Sequence, residues 1–228
     1  MEVAQILTIV FIFTMMVLIL FMRGSLSKKD KERTLDFIKI ANDLQMSTSD
    51  KVDRSFRNRL KPLQRFKRGR HEKFTNILHE NRNNMEMVFF ECFRGRSGGN
   101  TENMPRQVRE GIFHFTSSDL NLPRFSLHEA EELQQIFVSA LGYKDINFDS
   151  HPDFSKKYLL NGDDELAVNR LFSEKLICFI ERLDGINIEG AGNQLIVYRP
   201  YTQIETRKFK QYKQEATQIF EQFRGQIL

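Results

Sequence analysis

The chain has 228 residues, of which 40% are hydrophobic and 21 are phenylalanine, enough for a membrane segment followed by a domain with a Phe-rich core. It contains no internal repeat and no low-complexity tract, which excludes a solenoid. Cys92 and Cys178 have no CxxC or metal-ligand spacing, so we interpret both as reduced core residues and predict neither a metal nor a cofactor.

The first predicted element is a membrane anchor. Residues 3–22, VAQILTIVFIFTMMVLILFM, carry no charge and as a helix would cross the roughly 30 Å hydrocarbon layer of a bilayer. A cleaved signal peptide is the alternative, but it needs a basic start, a shorter apolar core and a small-residue cleavage site. The sequence shows none of these, so we predict that residues 1–22 form a retained transmembrane helix.

The charges beside the anchor predict its orientation. The segment RGSLSKKDKER, which follows the anchor, contains five Lys or Arg residues, whereas only Glu2 and the chain amine precede it. Because positive residues stay on the cytoplasmic side of a membrane, we expect the N-terminus outside and everything after Met22 in the cytoplasm. The predicted location is the inner (plasma) membrane, as a single-pass protein.

Residues 23–70 are predicted to form a basic juxtamembrane helix and linker. The segment KERTLDFIKIANDLQM predicts a short amphipathic helix, because four apolar residues recur at helical spacing: Leu35, Ile38, Ala41 and Leu44. Residues 51–70 then contain nine Lys or Arg and one acid. Residues 71–228 contain 19 basic and 23 acidic residues, so the positive charge is concentrated near the predicted membrane.

The basic block predicts contact with anionic lipid, which attracts basic residues near a cytoplasmic leaflet by about 1 kcal/mol each. The predicted lipid-contacting residues are all Lys or Arg: Lys51, Arg54, Arg57, Arg59, Lys61, Arg65, Lys67, Arg68 and Arg70. Pro62 excludes one unbroken helix through them. A solvated linker whose few apolar residues pack on the core is favoured at least as strongly, and a surface for a protein partner is the third interpretation. Nucleic acid is the least favoured partner.

Residues 71–228 are predicted to form a soluble α+β domain, with a mainly antiparallel sheet packed against three amphipathic helices. Strands are expected at FTNILHE, NMEMVFFECFRG and RQVREGIFHFTSS, with Gly95–Pro105 as a hairpin loop. A helix, a strand and a longer helix are expected at HEAEELQQIFVSALG, FSKKYLLNG and DDELAVNRLFSEKLICFIERLDG. The hairpin INIEGAGNQLIVYRP and the amphipathic helix TRKFKQYKQEATQIFEQF complete the domain.

One polar stretch, FDSHPDFSKKYLLNGDDELAVNRLF, is the candidate functional loop. Its residues Asp149, His151 and Asp153 are of the types that bind a metal or act as a general base. A membrane-tethered hydrolase would use them with Asp163 and Asp164 across a cleft. This enzymatic interpretation is the minor alternative.

The same stretch has a structural interpretation, which we favour. Pro152 interrupts a regular helix, so the four-residue spacing of the aspartates does not stack their carboxylates. Phe148 and Phe154 flank the polar residues, which is typical of a loop held in place by buried rings. The two adjacent aspartates that follow are well placed to cap the next helix.

Three motifs, LNLPRFSL, GYKDINFDSHPDFSKKYLLNGDDELAVNRLF and IEGAGNQLIVYRP, together resemble a family of uncharacterised bacterial membrane-anchored proteins. The similarity also includes FKRGRHEKFTNIL and covers roughly residues 64–200. It implies a bacterial origin and a membrane-anchored protein, and it transfers no catalytic residue.

The sequence therefore favours a non-enzymatic function. We expect a single-pass membrane protein whose cytosolic domain is an interaction or scaffold module with a protein partner at the membrane. A module that senses anionic lipid at the membrane surface is the alternative, and both functions can coexist in one chain.

Overall fold

The computed structural model describes residues 28–66, 73–95, 107–130 and 145–226. In these residues eight strands form one antiparallel sheet: β1 (Ser47–Ser49), β2 (Phe74–Arg82), β3 (Met85–Gly95), β4 (Gln107–Ser117), β5 (Leu122–Glu129), β6 (Tyr158–Gly162), β7 (Asn187–Gly192) and β8 (Gln194–Tyr198). Their order across the sheet is β1-β2-β3-β4-β8-β7-β5-β6. The predicted α+β class with a mainly antiparallel sheet is confirmed.

Six helices pack against the sheet within the described ranges. They are α1 (28–43), α2 (Arg54–Leu60), α3 (Pro152–Lys157), α4 (Glu165–Leu171), α5 (Glu174–Glu181) and α6 (Phe209–Arg224). Short 3-10 turns at Gln64–Phe66 and Thr206–Lys208 complete the regular structure. The first of the three domain helices expected from the sequence, HEAEELQQIFVSALG, falls mostly outside the described residues.

The sheet separates two hydrophobic clusters, because alternate residues of a strand point to opposite faces. The larger cluster lies under α1, α5 and α6 and contains Phe37, Phe89 and Phe209. The smaller cluster lies on the other face, where α2 and the turn after it cover residues such as Phe90 and Ile196. Both faces of the central strands are therefore buried, which explains the apolar run in β3.

The segment predicted to be a linker is part of this fold. Strand β1 pairs with β2, with Ser47 opposite His79, and α1 buries Phe37 and Ala41 in the larger cluster. The domain therefore begins earlier in the chain than residue 71.

The helix predicted over KERTLDFIKIANDLQM is present as α1, but its buried face was predicted only in part. Ala41 is buried and Leu44 packs partly against the core, as expected. Leu35 and Ile38, however, are exposed, because the helix turns Phe37 and Ile40 to the sheet instead.

Two further predictions need correction. The long helix expected from Asp163 to Gly185 is two helices, because Ser173 is extended and caps a new one by accepting a hydrogen bond from the Leu176 amide at 3.4 Å. The residues LPRFSLHE form strand β5, which the sequence pattern does not predict. Its pairing with β7 shifts register between Leu122 and Phe125, around Pro123, and this hid the strand pattern.

The predicted anchor, residues 3–22, lies outside the described residues. Within the ranges that the structure describes, no helix has both the length and the apolar character needed to cross a bilayer.

Candidate functional site

The structure does not bring the predicted acidic loop residues together. Asp149 and Asp153 are both exposed, and Asp153 lies 3.9 Å from the ammonium of Lys156. Asp163 pairs with Arg124 at 3.0 Å, and Asp164 caps α4 by accepting a hydrogen bond from the Ala167 amide. Asp153 and Asp163 form surface pairs and Asp164 caps a helix, so these carboxylates do not converge on one point as a hydrolase would require.

His151 has different neighbours from those predicted. It directly precedes Pro152, which begins α3, a position where the fixed φ of proline fits the first turn of a helix. Helix α3 packs on α5, which carries Cys178 and Glu181 one turn apart. One ligand-type atom from each of His151, Cys178 and Glu181 lies within 4.8 Å of the other two.

The sequence could not reveal this three-residue cluster, because Cys178 is 27 residues from His151 and the relative placement of α3 and α5 is set by packing. The one feature of the sequence that points to this cluster is the three-residue spacing of Cys178 and Glu181 on a helix. That spacing alone is weak evidence for a metal site, because it does not include the histidine.

The basic block predicted to contact lipid covers the smaller hydrophobic cluster. Phe56, Leu60 and Leu63 are buried there, as the linker interpretation expects of its apolar residues. The exposed described members of the predicted set are Lys51, Arg54, Arg57, Arg59 and Lys61. Lys67, Arg68 and Arg70 lie outside the described residues.

Two of these exposed arginines are engaged by the domain. Arg59 pairs with Glu86 at 2.8 Å, and the guanidinium of Arg57 lies 4.5 Å from the centre of the Phe74 ring. Lys51, Arg54 and Lys61 are the remaining described residues of the predicted lipid-contacting surface.

Arg65 differs from the rest of the predicted set because its side chain is only 4% exposed. Its guanidinium pairs with the fully buried carboxylate of Glu110 at 3.0 Å. Its backbone amide donates to Glu189, which also accepts from the Tyr198 hydroxyl at 3.0 Å. Burial raises the pKa of Glu189. Arg65 is therefore a core residue that fastens the turn after α2 to the sheet, and it is withdrawn from the surface available to lipid.

A second buried carboxylate fastens α1 to the sheet. Glu91 of β3 is fully buried and accepts from Arg33 of α1, with Nη2 at 2.5 Å and Nε at 3.1 Å. Arg109 of β4 lies 3.7 Å from Glu91 and pairs with Asp30 of α1 at 2.6 Å. We refer to Asp30, Arg33, Asn76, Glu91 and Arg109 as the Glu91 cluster.

Asn76 completes the Glu91 cluster from a bulge in β2. The pairing of β2 with β3 shifts register between Thr75 and Leu78, and Asn76 adopts a positive φ of 51°. Its amide nitrogen donates to Glu91 at 2.6 Å, while its amide oxygen accepts from the Thr34 hydroxyl of α1 at 2.9 Å. The bulge in β2 therefore turns the side chain of Asn76 so that it links the sheet to α1.

Two apolar residues of α1 that the sequence predicted to be buried lie exposed on its outer face. Leu35 is 56% exposed and Ile38 is 40% exposed, and they lie three residues apart on the same side of the helix. The one other large hydrophobic side chain exposed in the described part of the chain is Leu166 of α4, at 70%. Helix α1, which follows the predicted anchor in the chain, therefore presents two apolar side chains among exposed polar residues such as Lys31 and Lys39.

A wide groove of about 700 Å³ lies at the opposite end of β4 from the Glu91 cluster. Its lining includes Pro62, Arg124, Asp163, Asp164 and Gln194. The two aspartates are already engaged in the surface pair and the helix cap described above, so the groove offers no set of converging catalytic groups among the described residues.

The comparisons with known proteins bear on the fold. No protein-family model matches the chain, and no curated protein matches it. A similar solved structure is the crystal structure of the mycobacterial trehalose monomycolate transport factor A, TtfA, with a TM-score of 0.59 and 9% sequence identity. The match covers 85% of this chain and 93% of that chain.

The two chains therefore share an α+β fold over most of their length. At this level of identity the similarity concerns the fold alone. The resemblance to bacterial membrane-anchored proteins drawn from the sequence motifs stays a prediction.

Proposed function

We propose that this chain is a single-pass protein of the inner membrane whose cytosolic α+β domain is an interaction module for a membrane-protein partner. In this proposal the N-terminus lies outside and the partner contacts the outer face of α1 at Leu35 and Ile38. The observation that carries the proposal is the Glu91 cluster, which holds α1 firmly on the domain while Leu35 and Ile38 stay exposed on its outer face.

The position of α1 in the chain supports a partner at the membrane. Six residue steps separate Met22, the end of the predicted anchor, from Lys28 of α1, and they span at most about 20 Å. Ile38 lies ten residues further along the helix, about 15 Å at the usual helical rise. Both exposed apolar residues are therefore within reach of a partner at the bilayer surface.

The anchor also favours binding there. Confining a domain to a surface raises its effective concentration for other membrane proteins, so a small contact area suffices. The fold similarity to TtfA, which is described as a trehalose monomycolate transport factor, favours an accessory role in membrane transport for this chain as well.

The test is cross-linked affinity purification of the full chain from gently solubilised membranes. We expect a stoichiometric membrane-protein partner that is retained by the unaltered chain and lost from Leu35→Ser/Ile38→Ser. Leu166→Ser is the matched control, because it removes a leucine of α4 that is more exposed than either Leu35 or Ile38 and should leave capture unchanged. Capture of no partner, or equal capture by all three chains, would contradict the proposal.

Anionic-lipid contact is the second candidate function, favoured by the exposed basic residues Lys51, Arg54 and Lys61 near α2. They lie on or beside α2, which covers the smaller hydrophobic cluster on the opposite face of the sheet from α1. In a liposome-flotation assay, the chain without its anchor should then bind only when anionic lipid is present, and binding should weaken as salt is added. Binding should also fall in the variant in which Lys51, Arg54 and Lys61 are all changed to Ser. Binding that is absent or independent of salt would end this idea.

A further inference from the structure

We propose that His151, Cys178 and Glu181 form a binding site for a late first-row divalent cation, with Zn²⁺ as the ion expected in the cell. The inference is independent of the proposed membrane function. It stands on the convergence of one nitrogen ligand from the residue that precedes α3 with one sulfur and one oxygen ligand from α5.

The distances fit a metal with short bonds. The three ligand atoms lie within 4.8 Å of one another, and His151 Nδ1 is 3.9 Å from Glu181 Oε1. Tetrahedral Zn²⁺, with bonds of about 2.0–2.3 Å, holds its ligand atoms about 3.5 Å apart. Binding would therefore have to draw the ligand atoms together by at most about 1.3 Å, the difference between the 4.8 Å limit and the tetrahedral separation.

The surroundings hold two of the ligands in place. Glu181 Oε1 accepts a hydrogen bond from the Phe154 amide at 3.1 Å, and the Glu181 carbonyl accepts one from the Lys157 ammonium at 2.8 Å. The backbone amide of His151 donates to the Phe148 carbonyl at 2.9 Å. Contacts of this kind to the groups around a metal fix ligand orientation and strengthen binding.

Partial burial leaves the cluster open to an ion. The side chain of His151 is 15% exposed and that of Glu181 is 27% exposed, and Cys178 is half-buried. An ion can therefore enter, and three protein ligands leave a fourth tetrahedral position for water.

The ligand types select the class of metal. A thiolate and an imidazole favour Zn²⁺, Co²⁺ or Ni²⁺ over Mg²⁺ and Ca²⁺, which prefer oxygen ligands. Cys178 would bind as the thiolate, with its proton released to solvent as the sulfur–metal bond forms.

The test is Co²⁺ titration of the full chain in detergent, after chelator treatment and removal of any histidine tag, followed by visible absorption. We expect one Co²⁺ per chain with a thiolate-to-metal absorption band, and displacement of Co²⁺ by Zn²⁺. Cys178→Ser should abolish the band. His151→Ala and Glu181→Gln should each weaken Co²⁺ binding by about tenfold or more.

Asp149→Asn and Asp153→Asn are matched controls, because these exposed neighbours lie outside the cluster and should leave binding unchanged. A band that persists in Cys178→Ser, or the absence of a stoichiometric Co²⁺ site in the unaltered chain, would overturn the proposal. Metal-dependent protection against heat gives a second readout. Zn²⁺ should raise the unfolding temperature of the unaltered chain and of both controls, and leave that of Cys178→Ser unchanged.

Discussion

The guanidinium of Arg65 and the carboxylate of Glu110 form an ion pair that lies inside the domain, beneath the turn that follows α2. The same guanidinium lies 3.3 Å from Cys92 Sγ, and the backbone amide of Arg65 donates to Glu189. One residue of a strongly basic block therefore reaches three buried groups on three different strands. It joins the block to the sheet.

Removing this arginine should destabilise the domain. Arg65→Met leaves the carboxylate of Glu110 buried without its partner, and we expect the free energy of unfolding to fall by about 3–5 kcal/mol. Arg54→Met, an exposed residue of the same block, should change it by less than about 0.5 kcal/mol. Urea denaturation of the chain without its anchor measures both. Equal losses would show that Arg65 has no special role.

The Glu91 cluster provides a second prediction, with a matched control on the same strand. Glu91→Ala removes the carboxylate shared by Arg33 and Arg109, and we expect a loss of about 3–5 kcal/mol in the free energy of unfolding. Glu86→Ala breaks the exposed pair with Arg59 and should cost less than about 1 kcal/mol. Hydrogen exchange across residues 28–43 should accelerate in the first variant and stay slow in the second.

The stability of the domain should depend on pH through His114. Burial lowers the pKa of this histidine to about 4 from its ordinary 6.5, and its ring Nδ1 has no hydrogen-bond partner. Between these values the unfolded chain binds a proton that the folded chain does not. The free energy of unfolding should therefore fall as pH drops from about 6.5 to about 4, by on the order of 3 kcal/mol.

Denaturant midpoints measured across that pH interval test the assignment to His114. The His114→Leu variant should lose this part of the pH dependence and keep the rest. A pH profile that is the same in both chains would assign the effect to other groups.

Close packing predicts that Gly190 cannot carry a side chain. A Cβ at this position of β7 would lie 2.4 Å from the Phe125 ring and 2.9 Å from Leu122. We expect Gly190→Ala to reduce the free energy of unfolding by about 1–3 kcal/mol. Gly225→Ala, where the nearest atom would be 3.4 Å away, is the control and should be nearly neutral. Thermal unfolding of both variants decides the point.

The sequence predicted the fold class because most elements carry their own local signal. The alternation in β3, the glycine turn between β7 and β8 and the apolar spacing of α6 each follow from residues close together in the chain. Strand β5 was missed since its proline and register shift disturb the alternation. The exposed side of α1 was missed since Phe37, rather than Leu35 or Ile38, finds aromatic partners in distant parts of the chain.

The candidate sites were less accessible to sequence reasoning, because each depends on contacts between distant segments. His151 was recognised as a polar residue of interest, but its partners lie on α5. The sequence predicts a surface position for Arg65, because the other eight basic residues of the block are typical of an exposed, charged segment. No residue near Arg65 in the chain indicates that it pairs with the buried Glu110. Burial of a charged side chain is set by tertiary packing, which composition does not record.

The ring of Phe37 in α1 lies 5.3 Å from that of Phe89 and 5.7 Å from that of Phe209 in α6. The difference between positions 209 and 37 is 172 residues, so a ribosome working at about 5–20 residues per second makes Phe209 roughly 10–30 s after Phe37. The polar contacts of the Glu91 cluster are thus available to α1 early in synthesis, because they involve residues only up to Arg109. The aromatic contact with Phe209 is added last, so α1 is held first by charged groups and only later by a completed cluster of rings.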